Sequence, residues 1–196
     1  MIDVPALALY FAVMSITPGP NNVMVTASGA AFGYRATLPH VLGVGMGAAL
    51  QMVLVALGLG VAFQRLPMLH LALAVGGAAY LVYLAWQLFN ADTVAEAESR
   101  RPFTVWKAIL FQAVNPKAWV MAITAAAVFV PRDTPLSTLI MVVGGIFFVV
   151  NVPCVSIWAL FGSGMKHLLL RPAYRRAFNV TMSVLLVLTA IAGLRG

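Results

Sequence analysis

Six long apolar blocks follow one another along this chain, at residues 4–31, 38–63, 67–89, 105–130, 136–165 and 178–194. Each is near the roughly 20 residues that a helix needs to cross the hydrocarbon of a bilayer. A lone strand leaves its backbone groups unpaired in lipid, so the blocks are expected to be helical. The strongly polar connection is ADTVAEAESRRP, residues 91–102, midway along the chain. It separates residues 1–90 from residues 103–196, with three blocks on either side.

Proline interrupts the first block of each half. In SITPGPNNVMV, residues 15–25, Pro18, Gly19 and Pro20 precede Asn21 and Asn22. In QAVNPKAWV, residues 112–120, Asn115 precedes Pro116 and Lys117. Each proline removes an amide donor and clashes with the carbonyl one turn earlier, so neither block can pass as one unbroken helix. Pro18 lies 14 residues after Val4, and Pro116 lies 11 after Val105. Interruptions at similar depth in two halves point to inverted repeats with a binding site near the bilayer midplane. The expected architecture is an all-α integral membrane protein, one domain over residues 1–196. It has six transmembrane helices in two inverted three-helix repeats, the first helix of each repeat broken at proline, with residues 91–102 as a cytoplasmic linker. Pro153, in the fifth block, reads as a simple kink.

Composition supports the membrane reading. Apolar residues make up 62% of the 196, charged residues only 9%, and mean hydropathy is +0.97. Soluble domains carry about 25% charged residues, so too few polar side chains are present to cover a water-facing surface. Asp3 and the lack of a basic leading segment make the N-terminus the start of the first span, not a cleaved leader. The single cysteine, Cys154, excludes an intrachain disulfide and a cysteine-cluster metal site. No metal or cofactor is expected.

The net charge of +7 comes from basic residues spread over short connections, not from a stripe or recognition helix, so no nucleic-acid partner is expected. Arg35, Arg100, Arg101, Lys107, Lys166, Arg171, Arg175 and Arg176 fall on the side of the odd-numbered connections. Arg65, Arg132 and Arg195 fall on the other side, and Lys117 lies within a span. The positive-inside rule then puts the odd connections in the cytoplasm and both termini in the periplasm. A five-span chain with one interfacial segment would spoil that division.

The breaks carry the candidate chemistry. Pro18 and Pro20 free the carbonyls of Met14 and Ile16, while Thr17 and Gly19 are pushed from helical dihedrals. Gly19 permits the backbone path, and Asn21 and Asn22 cap or line the restarted helix. An unsatisfied group costs several kcal/mol in hydrocarbon, which implies a polar cavity at this depth. Asn115 and Pro116 read as the N-cap and first residue of a half-helix starting in mid-membrane. Lys117 then sits where the helix dipole disfavours a cation, at an insertion cost of about 2.5–3.5 kcal/mol before the dipole is added. The five acids, Asp3, Asp92, Glu96, Glu98 and Asp133, all lie at span ends or in connections. Lys117 is therefore expected to meet a carboxylate brought by a substrate; the alternative is that it snorkels or points at the carbonyls freed by the break.

Other polar residues weigh less. Gln51, Gln112 and Asn151 are intramembrane and either bridge helices or line the cavity. Gly29/Gly33 and Gly43/Gly47 are GxxxG pairs suited to close helix packing or to a homodimer contact, and Gly76/Gly77 read the same way. His40, at a helix start, and His70 have no metal-ligand companions. Tyr10, Trp86, Trp106 and Tyr174 sit near span ends, as interfacial anchors do.

TPGPNN (residues 17–22), GAAYLVYLAWQL (residues 77–88) and NPK (residues 115–117) resemble the LysE/RhtB family of bacterial amino-acid exporters. The third-span stretch and NVPCVSIWALFG (residues 151–162) are similar to the branch that exports cysteine and O-acetylserine. The resemblance covers nearly the whole chain. It implies a secondary exporter of the bacterial inner membrane for small neutral amino acids or related metabolites, of the threonine, homoserine and leucine type or the cysteine and O-acetylserine type. Proton antiport is the implied coupling. It marks Pro18, Gly19, Pro20, Asn21 and Asn22, with Asn115, Pro116 and Lys117, as the substrate-binding regions. A passive channel or an assembly subunit is the alternative. An intramembrane enzyme has no nucleophile–base pair or metal cluster to support it.

Overall fold

The computed structural model describes residues 2–59, 67–90, 102–131 and 133–195, and the fold is helical throughout. Asp3 opens helix α1 (Val4–Ile16) by accepting the amide of Ala6 at 3.1 Å. The helix stops at Thr17, held extended at φ −67° and ψ 143° before Pro18. Pro20 begins α2 (Pro20–Phe32), where its missing amide is harmless. One residue, Gly33 at φ 83°, then turns the chain into α3 (Tyr34–Leu54). That left-handed dihedral favours glycine. α3 continues as a π-helical turn over Val55–Leu59.

Helix α4 covers Pro67–Phe89. Thr104 caps α5 (Val105–Gln112), and Asn115 caps α6 (Pro116–Phe129), with Pro116 in first position as expected. α7 runs over Leu136–Met165, π-helical at Leu139–Gly144 and unbroken through Pro153. A short 3₁₀ turn, Leu168–Leu170, leads into α8 (Pro172–Arg195).

Among the described residues, four stretches are long and apolar enough to cross a membrane: Tyr34–Leu59, Leu71–Phe89, Leu136–Met165 and Pro172–Leu194. α1 and α6 are shorter apolar helices. The two interrupted spans of the sequence are thus the helix pairs α1/α2 and α5/α6. Many large apolar side chains face outward, among them Leu9, Leu110, Val128, Met141 and Val149. In water such a surface would drive aggregation, and in lipid it is the natural exterior. The protein is a multi-pass membrane protein.

α7 is the central post. It packs against α1, α2 and α3, while α3 packs on α5 and α8 pairs with α4. Phe11 of α1 meets Phe147 of α7 edge to face, with centroids 5.0 Å apart. A second buried cluster joins Val23 and Met24 of α2 to Leu81, Phe111, Phe178 and Leu186. Lipid supplies no hydrophobic drive between helices, so tight approach through small residues matters more. A Cβ at Gly162 would overlap the Thr26 backbone of α2, and one at Gly29 would overlap the Ala159 carbonyl of α7. Gly43 and Gly47 seat α3 on the Val105 and Ile109 backbone of α5.

Gly29, Gly43 and Gly47 make the close helix packing expected of them. Several other expectations need correction, and Gly33 makes a turn. Gly77 presses α4 against the Val114 carbonyl, whereas Gly76 faces open space. α8 starts at Pro172, not at 178, because the basic turn stays helical: Arg176 donates to the Phe89 carbonyl at 2.9 Å and stacks 4.2 Å from the Phe89 ring. α3 starts at Tyr34, not at 38, so His40 is buried inside it and does not mark its start. Tyr10 is partly buried and donates to the Met121 carbonyl at 3.3 Å. Trp86, Trp106 and Tyr174 are exposed. Residues 60–66, most of the linker at 91–101, Arg132 and the His70 side chain lie outside the described residues.

The neighbouring glycines of α4 give a paired test. Gly77→Ala should destabilise the detergent-purified protein by about 1–3 kcal/mol through overpacking, and Gly76→Ala should leave its thermal midpoint unchanged. Equal midpoints for the two variants would contradict this packing.

Candidate functional site

The break after α1 leaves a run of carbonyls without helical amides, and each finds a donor. The Thr17 amide reaches the Val13 carbonyl at 3.2 Å, and the Thr17 hydroxyl reaches Met14 at 3.0 Å. Asn22 Nδ2 donates to the Ser15 carbonyl at 3.0 Å and to Thr17 at 2.8 Å. Trp158 Nε1, from α7, donates to Ile16 at 3.0 Å. Lys117 Nζ, from α6, donates to the Thr17 carbonyl at 2.6 Å, the Thr17 hydroxyl at 2.8 Å and the Pro18 carbonyl at 3.2 Å. The Gly19 carbonyl takes the Val23 amide as α2 restarts.

Lys117 therefore sits on the carbonyls of the opposite break, the alternative weighed from sequence. Gly19 makes room for it. Its φ of −170° is ordinary extended backbone, but a Cβ there would lie 2.7 Å from Lys117 Cδ. Space, and not backbone freedom, is what this glycine supplies.

The second break is held by side-chain amides. Asn115 Oδ1 accepts the Lys117 amide at 3.1 Å, and Asn115 Nδ2 donates to Gln112 Oε1 at 3.2 Å. Gln112 and Asn21 exchange reciprocal hydrogen bonds of 3.0 and 3.2 Å, tying the second break to the start of α2. Trp119 Nε1 covers the Ala113 carbonyl at 2.8 Å. Neither Asn21 nor Asn22 caps its own helix: Asn22 serves the end of α1, and Asn21 reaches α5.

The two breaks thus meet. Between them lies a small cavity of about 20 Å³, bordered by Ser15, Gly19, Asn21, Asn22, Asn115, Lys117 and Asn151. That is room for about one water. Of the three residues expected to line a cavity, Asn151 does so, and its Nδ2 donates to Ser15 Oγ at 2.9 Å. Gln112 is fully buried in the amide chain. Gln51 is buried on α3 without a hydrogen-bond partner among the described residues and does not border this cavity.

Lys117 is half-buried, while Thr17 and Pro18 are exposed, so its ammonium lies at the edge of the site, not sealed within it. Among the described residues no group of three or more His, Cys, Asp or Glu could hold a metal. Sequence reasoning missed Ser15, Thr17 and Trp158 as partners. The signal for Trp158, an indole donor deep in an apolar span, was present but gave no address.

The profile of the family described as LysE type translocator matches residues 12–195. The chain is 28% identical over 186 residues to cysteine/O-acetylserine efflux proteins of Escherichia coli strain K12 and of Shigella flexneri serotype 5b strain 8401. Those alignments cover 93% of this chain and 92% of each relative. No solved structure matches it. A helical membrane chain with two paired helix breaks, matched by this profile over nearly its whole length, belongs to the LysE-type translocator family.

Proposed function

We propose that this translocator exports a small neutral amino acid across the bacterial inner membrane by alternating access, with the two helix breaks as its substrate site. The observation that carries the reading is the ammonium of Lys117 seated on the carbonyls of Thr17 and Pro18. A substrate α-ammonium has the same charge and donor count, and fits the same cradle. When it enters, Lys117 gives up the carbonyls and turns to the substrate α-carboxylate, near the positive end of the α6 dipole. One ammonium replaces another, so the freed backbone groups stay satisfied throughout. Asn21, Asn22, Asn115 and Pro116 hold the two breaks in register, and Asn151 offers a further contact.

The cavity between the breaks holds only about one water, which fits a resting state that must widen to admit substrate. Two inverted repeats, residues 1–90 and 103–196, supply the moving parts. The packing supports this division: α1 and α2 lie on α7, and α5 and α6 lie on α3, so each broken span rests on the second span of the other half. The basic connections face the cytoplasm and the termini the periplasm. The relatives named as cysteine/O-acetylserine efflux proteins favour a substrate of that size and charge. Coupling is proton antiport. No carboxylate of the chain belongs to an expected span, so the proton travels on Lys117, a histidine or the substrate's own amine.

Two outcomes test the reading. Lys117→Ala, at equal expression, should slow efflux of O-acetylserine from preloaded vesicles by about tenfold or more, the worth of a charged hydrogen bond. Unchanged efflux would sink the site. Collapsing the proton gradient with an uncoupler should abolish uphill movement while leaving downhill exchange, and uphill transport that survives the uncoupler would refute the antiport.

A further inference from the structure

Three glycines from three helices seat the second break. A Cβ at Gly47 of α3 would lie 2.9 Å from Gln112 Cγ, and one at Gly77 of α4 would overlap the Val114 carbonyl. Gly193, near the end of α8, is the third: a Cβ there would lie 2.5 Å from Pro116 Cγ and 2.8 Å from Pro116 Cβ. Those two atoms belong to a ring closed on the backbone, which cannot swing aside as a free side chain does. Residues 112, 114 and 116 therefore each rest on a bare stretch of helix, with Asn115 between them.

Within that seat Gln112 spends its whole carboxamide. Its Oε1 accepts from Asn21 Nδ2 at 3.0 Å and from Asn115 Nδ2 at 3.2 Å. Its Nε2 donates to Asn21 Oδ1 at 3.2 Å and to the Ala108 carbonyl at 2.9 Å. Two acceptor and two donor places are all that the group has, so nothing is left for a substrate. Its effect is geometric. By holding Asn115 Nδ2 it turns Asn115 Oδ1 onto the Lys117 amide, which fixes the first turn of α6. Lys117 is the second residue of that helix, and its ammonium reaches Thr17 and Pro18 from there. Its stem runs past Gly19, where a Cβ would come within 2.7 Å of Cδ, so the side chain has little room to absorb a shift of α6.

We infer that Gly193 and Gln112 are positioning residues for Lys117. Gly193 acts through the Pro116 ring and Gln112 through Asn115, and together they set where the first turn of α6 stands and so hold the ammonium over its carbonyls. A methyl group at position 193 needs about 1 Å of relief, from 2.5 Å to ordinary carbon contact. A shift of that size carries a hydrogen bond out of range. Their effect on efflux rests on the transport reading above, and their effect on the contact between Lys117 and Thr17 does not.

Gly193→Ala is the leading variant because it leaves the buried amide chain intact. Gly164→Ala, where a Cβ meets nothing within 4 Å, is its control, and Gln112→Met tests the second arm. The first measurement is solid-state NMR without substrate, on protein labelled with ¹⁵N at lysine Nζ and ¹³C at threonine carbonyls. The unaltered chain should place Lys117 Nζ within about 4 Å of the Thr17 carbonyl carbon, a coupling assigned by its loss in Lys117→Arg. Gly193→Ala and Gln112→Met should each weaken that coupling by about half, as a shift of about 1 Å requires, and Gly164→Ala should leave it unchanged. The second measurement is efflux of O-acetylserine from vesicles. Gly193→Ala should raise its KM about threefold at a maintained maximal rate, the mark of weakened ground-state binding. In a Lys117→Ala background it should add nothing, since effects that run through one residue are not additive. If Gln112→Met does not accumulate, Gly193→Ala decides alone. An unaltered Lys117–Thr17 coupling in Gly193→Ala would overturn the proposal, as would a KM effect that recurs in full without Lys117. Unchanged efflux in Lys117→Ala itself would defeat the transport reading, and the coupling would still decide this one.

Discussion

The carbonyls of Ser15, Ile16, Thr17 and Pro18 set the constraint on which this structure turns. Two prolines and an extended glycine deprive them of helical amides at a depth where no lipid can donate a hydrogen bond. Their donors come from three other helices: Asn22 of α2, Trp158 of α7 and Lys117 of α6. Each leaves its position only at a cost of several kcal/mol in an apolar setting. The break therefore fixes how α6 and α7 stand against α1, and the glycine contacts of α2 with α7 and of α3 with α5 complete the arrangement. Function and fold share the same hydrogen bonds.

Under the proposed function, that sharing lets a site for a zwitterion exist in a chain with so few charges. The cradle of carbonyls needs a cation at all times, and the cation above it needs carbonyls or an anion. An amino acid supplies both kinds of partner at once, so it can enter without leaving either side unsatisfied. A group bearing only one of the two charges cannot make that exchange.

Much of this was legible in the sequence because the physics that wrote it is local. A proline in a membrane span breaks a helix wherever the chain folds, so both breaks, the Asn115 cap and the start of α6 could be placed before any packing was known. Helix existence followed from length and hydropathy alone. What stayed hidden depended on contacts between distant segments. Asn21 and Gln112 are 91 positions apart, and no spacing in either motif announces that they exchange hydrogen bonds. Lys117 read first as a substrate ligand and second as a partner of freed carbonyls, because both follow from the same unpaired charge. Gly29, Gly43 and Gly47 read as close-packing positions, but which helices they press together waited on the structure.

The central claim is that Lys117 exchanges backbone carbonyls for a substrate carboxylate. Solid-state NMR on protein labelled with ¹⁵N at lysine Nζ, with O-acetylserine labelled with ¹³C at its carboxylate, measures that contact directly. The chain has three lysines, Lys107, Lys117 and Lys166, so Lys117→Arg assigns the signal. The account predicts a dipolar coupling that places the Lys117 nitrogen within about 4 Å of the bound carboxylate, the reach of an ion pair, and that vanishes in Lys117→Arg. Saturating substrate that binds without any coupling to Lys117 would contradict it.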